Sequence, residues 1–200
     1  MGGITETQGS MQHSAPLTRQ RSSRSGMTLT ELMVAMMVMT VSVYILSSTI
    51  TATIAHSAGK RERVRAVEAV RSLLEEMRSL PCSSLFALYN DDPSDDPGGV
   101  NTAPGSSFLV EGLEAQEMDA DGFVGEIILP AANAPLREDA VNAPLGLPRD
   151  LNGDALIDDK DHSLDYILLP VQIRVKWSGY VGEREFEMFT MFSDLRKWQP

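Results

Sequence analysis

The sequence predicts an α+β protein: a long N-terminal α-helix packed on a small antiparallel β-sheet. Three observations predict it. Leu32 to Ala55 form an unbroken run without a charge. The stretch that follows, as far as Leu80, keeps apolar positions at steps of three and four, with charges between them. Near the C-terminus, two stretches of alternating apolar and polar residues are separated by a short turn sequence.

The uncharged run, LMVAMMVMTVSVYILSSTITATIA, spans roughly 36 Å as a helix, at about 1.5 Å per residue. That is enough to cross a hydrocarbon core of about 30 Å with some tilt. Five of the 11 methionines fall between Met27 and Met39, so they belong to this segment. The run is longer than the apolar region of a secretory signal peptide, and no A-x-A cleavage pattern follows it. Instead Val64, Val67, Val70, Leu74 and Met77 recur at helical spacing. One helix is therefore expected from about residue 28 to about residue 80. Pro81 ends it, because the residue before a proline resists helical geometry.

Beyond Pro81 the composition changes. Residues 90–107, NDDPSDDPGGVNTAPGSS, form an acidic Pro/Gly-rich loop. Short strands are expected in SFLV, ending at Val110, and in FVGEIIL, Phe123 to Leu129. In PVQIRVKW, Val171, Ile173, Val175 and Trp177 face one way, and Gln172, Arg174 and Lys176 the other. SGYVGER turns the chain and EFEMFTMF returns it, an antiparallel hairpin. Phe189 and Met191 point opposite to Phe186 and Met188, which predicts a strand covered on both faces.

The net charge is -11, with 17 basic and 28 acidic residues. Such a chain is a poor partner for nucleic acid, whose phosphates need clustered Lys and Arg. One cysteine, Cys82, leaves no intramolecular disulfide and no cysteine-based zinc site. The sequence has no G-x-S-x-G, no H-E-x-x-H and no phosphate-cradling glycine loop, and it is read as a non-enzyme.

A carboxylate, Glu31, stands at the edge of the apolar run, in a basic-flanked segment RSGMTLTELM. A charge at the edge of a lipid-facing helix is a functional-site candidate by default. With the stretch SGMTLTELMVAMMVMTVSV, it resembles the processing site of type IV prepilin-like proteins: type IV pilins, minor pilins and type II secretion pseudopilins. The C-terminal pair also resembles the end of PilV-like or I-type minor pseudopilins. The resemblance implies a pilin-like fold and a leader, residues 1–26, cut after Gly26 by a prepilin peptidase that methylates the new terminus, Met27. It implies that Glu31, fifth from that terminus, pairs with the amine of a neighbouring pilin or pseudopilin subunit during assembly. Two departures stand out: Met27 replaces the usual phenylalanine, and the mid-helix proline of type IV pilins is missing.

The implied organisation is a cleaved leader at 1–26, a transmembrane and assembly helix at 27–55, its amphipathic continuation at 56–80, and an α+β head at 81–200. Charge alone does not orient the span, because Arg19, Arg21 and Arg24 face Lys60, Arg61, Arg63 and Arg65 across it. The resemblance does, placing the leader in the cytoplasm and the head in the periplasm, on a single-pass inner-membrane anchor. Loss of residues 1–26 removes three arginines and Glu6, leaving a net charge of -13. A membrane-anchored calcium-binding or adhesive module that never polymerises is the competing expectation.

DLNGDALIDDKD, residues 150–161, has the oxygen spacing of a calcium loop. Asp150, Asn152, Asp154, Asp158 and Asp161 occupy the side-chain positions, and Leu156 would offer its carbonyl. An apolar Ile157 suits the eighth position. Ala155 stands where glycine is usual, and Asp161 where a longer glutamate is usual. The expected cofactor is Ca2+. Asp119 and Asp121 form a weaker candidate without a twelfth ligand.

Overall fold

The computed structural model describes residues 26–119 and 121–194, and residues 1–25 of the expected leader lie outside that range. The described chain falls into two units, divided between Ser47 and Ser48. Helix α1, Leu29–Ser79, contributes to both. In the first unit its residues are exposed throughout, apolar ones included: Met33, Met36, Met37 and Met39 are all open. Helix hydroxyls bond back to the preceding turn, as in Thr40 Oγ1 to Met36 O at 2.8 Å and Ser42 Oγ to Val38 O at 2.7 Å. A hydroxyl satisfied inside its own helix needs no partner from lipid.

In the second unit the helix contributes one buried line, Gly59, Ala66, Val70, Leu74 and Met77. This corrects the expected line at its N-terminal end. Val64 is exposed and Val67 half-buried, while the small Gly59 and Ala66 face inward. The hairpin comes close there: a Cβ at Gly59 would stand 2.9 Å from Arg184 Nη2, which would have to shift. Beside it, Glu62 accepts from Trp177 Nε1 at 3.2 Å and from the Tyr180 N–H at 3.0 Å. Arg65 Nη1 donates to the Gly112 carbonyl at 2.9 Å.

Pro81 does end α1, but a second helix, α2, Cys82–Tyr89, starts directly after it. Its apolar side, Leu85, Phe86 and Tyr89, is buried. Tyr166 fastens it: the hydroxyl donates to Cys82 O and accepts from the Phe86 N–H at 3.1 Å. Burial pushes the Tyr166 hydroxyl above its ordinary pKa, so it remains a neutral donor.

The sheet is an antiparallel meander in the order β1-β2-β3-β4. The strands are β1 Ser107–Phe108, β2 Gly125–Ile128, β3 Leu168–Gly179 and β4 Gly182–Ser193. The first two are shorter than the sequence predicts. Gly125 accepts the Phe108 ring where a side chain would be, since a Cβ would lie 2.2 Å from that ring. On β3, Leu169, Val171, Ile173, Val175 and Trp177 are buried and join the core with α1 and α2. On the other face Arg174 lies 2.8 Å from Glu187, 3.3 Å from Glu185 and 3.6 Å from Glu126, a cross-strand cluster that favours this register. The Gly179↔Gly182 pair closes the hairpin around Tyr180 and Val181. Among the described residues β4 packs only one face against the core, contrary to expectation: Phe186 and Met188 join it, while Phe189 and Met191 are 51% and 43% exposed.

Candidate functional site

Two regions carry the candidate residues. The first is the start of α1. The Leu32 N–H bonds the Thr28 carbonyl at 3.1 Å, the first helical hydrogen bond, so Thr28 is the N-cap. Its hydroxyl accepts from the Glu31 N–H at 3.3 Å. Gly26 and Met27 precede the helix in irregular, exposed chain. A peptide bond there is reachable by an enzyme, which a bond inside a helix is not. Glu31 occupies the third helical position, where the helix dipole favours an anion. Among the described residues its carboxylate has no hydrogen-bond or ion-pair partner, although it opens a helix with an apolar, unburied first half.

By length and composition α1 is the one helix, among the described residues, able to cross a membrane. A family model described as the prokaryotic N-terminal methylation motif matches residues 21–43. The chain carries a type IV prepilin-like signal. The match spans Gly26, Met27 and Glu31 of this prepilin-like segment and ends within the apolar run. No curated protein and no solved structure matches the chain. The long apolar helix and four-stranded antiparallel sheet fit the α+β, pilin-like fold class.

The second region is the acidic loop at 150–161. Of its predicted carboxylates, Asp150 and Asp154 come together, while Asp158 and Asp161 are held by other groups. Asp150 folds onto its own turn, its carboxylate accepting from the Gly153 N–H at 2.6 Å and the Ala155 N–H at 2.8 Å. Asn152 Oδ1 accepts from the Asp154 N–H at 3.0 Å, and Asp154 Oδ1 from the Leu156 N–H at 2.8 Å. Asp158 turns elsewhere. It pairs with Lys160 and lies 2.9 Å from His162 Nε2. The Lys160 contact above all, then His162, hold its carboxyl far below the usual range. Asp161 caps a different segment, accepting from the Leu136 and Ser163 N–H groups at 3.0 Å each. Leu156 and Ile157 are 63% and 52% exposed, so Ile157 is not the inward residue of a closed calcium loop. Asp121 caps its own turn through the Phe123 N–H at 2.9 Å.

Segment 136–139 threads between the ends of this loop. The Asp139 N–H bonds Asp158 O at 3.2 Å, the His162 N–H bonds Leu136 O at 2.9 Å, and the Arg149 N–H bonds Glu138 O at 3.1 Å. The threading places Glu138, a residue that no sequence motif marks, beneath the loop and 1% exposed. Its Oε1 accepts from the Leu151 N–H at 2.6 Å and the Asn152 N–H at 3.1 Å. His162 is buried beside it. Burial lowers the imidazole pKa, but Asp158, Asp165 and Glu138 outweigh it and leave the pKa raised.

Ala155 does what glycine does in a calcium loop, at a cost. Its φ is +67°, in the left-handed region. A side chain there is strained by roughly 1 kcal/mol. Ala155→Gly is expected to stabilise the full chain in detergent by about 1 kcal/mol in chemical denaturation. An unchanged or lower midpoint would show that the left-handed turn is not strained.

Proposed function

We propose that this protein is a structural subunit, a minor pilin or minor pseudopilin, of a type IV pilus-like or type II secretion filament. The observation that carries the reading is the coincidence of three features within residues 21–43. The methylation motif matches there, Gly26–Met27 is exposed just before α1, and Glu31 lies in the first turn with no partner among the described residues. A prepilin peptidase cuts between Gly26 and Met27 at the cytoplasmic face of the inner membrane. Glycine there leaves the backbone open to the protease. Arg19, Arg21 and Arg24 hold the leader at the anionic inner leaflet. The head then lies in the periplasm, on a single-pass anchor.

Cleavage creates an ammonium at Met27. In a filament, that amine of one subunit neutralises Glu31 of the next as their apolar helices bundle. The attraction is strong in low dielectric, and either charge left alone in lipid is costly. Glu31 thereby sets the axial register between subunits, and the reading requires no catalysis by this chain. Its partners are the peptidase, other pilin or pseudopilin subunits and the inner membrane.

The experiment is co-expression of the full chain with a prepilin peptidase. The wild-type band is expected to shift by the mass of residues 1–26, and Gly26→Val to abolish the shift. A wild-type chain that stays full-length beside an active peptidase would favour a membrane-anchored module that never polymerises.

A further inference from the structure

Glu138 holds a buried carboxylate oxygen without a hydrogen bond beneath the acidic loop at 150–161. Its Oε1 is taken by two N–H groups, but Oε2 is buried and has no hydrogen-bond partner. One oxygen each of Glu138, Asp150 and Asp154 lies within 4.8 Å of the others. Three carboxylates so close repel, and an ionised oxygen withdrawn from water without a hydrogen bond is costly. The nearest positive candidate from the chain is His162 Nε2, 4.0 Å from Glu138 Oε2. That ring is already committed on both sides, to Asp158 at 2.9 Å and Asp165 at 3.0 Å.

We infer that Glu138, Asp150 and Asp154 bind a hard divalent cation, best matched by Ca2+, with Glu138 as the buried anchor contributed from outside the loop. Asp158 is not a ligand, because its charge is already paired with Lys160 and His162, and Asp161 does not join the three gathered carboxylates. The donor chemistry decides the class of ion. All three groups offer oxygen, which suits Ca2+ or Mg2+ and not a thiolate- or imidazole-seeking metal. Asp154 is exposed and leaves room for the waters and carbonyls that complete a coordination shell of six to eight. Mg2+ demands tighter, near-octahedral geometry and dehydrates reluctantly, so it binds here more weakly. The cation ties segment 136–139 to segment 150–154, which matters in a head without a disulfide. This inference is independent of filament assembly.

The test uses the full chain in detergent, stripped with EDTA and titrated with CaCl2, MgCl2 or ZnCl2 by calorimetry and thermal denaturation. One Ca2+ per chain is expected, with an affinity in the range of about 10⁻⁴ to 10⁻³ M typical of extracellular modules, and a rise in melting temperature. Glu138→Gln keeps the acceptor for Leu151 and Asn152 and is expected to weaken Ca2+ at least tenfold. Asp154→Asn, at an exposed position, is expected to do the same and serves if the first variant misfolds. Asp158→Asn is expected to leave the affinity within threefold. The inference is overturned if Ca2+ neither binds nor shifts melting at about 10 mM, well above that affinity range; His162 alone would then balance Glu138. It is equally overturned if Glu138→Gln and Asp154→Asn bind as the wild type does, if Asp158→Asn is the variant that loses the ion, or if ZnCl2 binds more tightly than CaCl2.

Discussion

Glu31→Ala is expected to leave cleavage after Gly26 intact and to reduce recovery of the subunit in sheared filaments or in its initiating complex by roughly a hundredfold. The size follows from the pairing. Removing one partner of an ion pair in a low-dielectric site strands the other, at about 3 kcal/mol or more, and about 1.4 kcal/mol is a factor of ten. In the proposed filament the stranded group would be the neighbouring subunit's ammonium. Glu31→Gln separates charge from shape: it keeps the length and a hydrogen-bonding oxygen but not the charge, and is expected to fail like alanine. Cleavage is expected to survive because Glu31 lies inside the helix, in its first turn, while Gly26 and Met27 lie outside it. Comparison of processed protein in the membrane with protein in the sheared fraction checks both halves. Normal recovery of either variant would remove the pairing from the account.

Trp177→Ala is expected to cost the head about 3–5 kcal/mol, the range for emptying a large aromatic from a core. Trp177 is 2% exposed, at the end of the buried row on β3, and its indole nitrogen reaches Glu62 on α1 at 3.2 Å. The substitution therefore opens a cavity and removes a donor from a half-buried carboxylate. Glu62 would still hold the Tyr180 N–H, so the hairpin turn remains tethered while the core loosens. Denaturant unfolding of the full chain in detergent, followed by protease resistance of the head, measures the loss. A cost below about 1 kcal/mol would mean that the indole is not part of the packed core.

Long-period features of this fold are legible in the sequence and contact-dependent ones are not. The helix is visible because charge is excluded from Leu32 to Ala55 and then returns with helical spacing. The β3–β4 hairpin is visible because both strands alternate and a short glycine-containing turn joins them. Pro81 hides helix α2, because it reads as an end when it is also a start; Leu85, Phe86 and Tyr89 carry the signal at helical spacing. The inward line at Gly59 and Ala66 is hidden because small residues do not register as a hydrophobic face; at Gly59 the approach of Arg184 marks the inward side. The outward Phe189 and Met191 look like core residues in any pattern that ignores what covers a strand.

The candidate sites divide in the same way. Gly26, Met27 and Glu31 form a local motif, readable from one short segment. The acidic loop reads as a closed ring because its oxygens are well spaced, but Lys160 within it and His162 beside it compete for Asp158. That competition has a sequence signal, a lysine at the eleventh place. Glu138 has none: it stands well before Asp150, in a proline-rich stretch, and only the threading of segment 136–139 brings it beneath the loop.

The central claim is that a new amino terminus at Met27 supplies the charge that Glu31 awaits. Intact-mass and terminal-peptide analysis of the protein from native membranes tests it most directly. The account predicts a chain that begins at N-methylated Met27 and lacks residues 1–26. A chain that still begins at Met1, or at any bond other than Gly26–Met27, would contradict it.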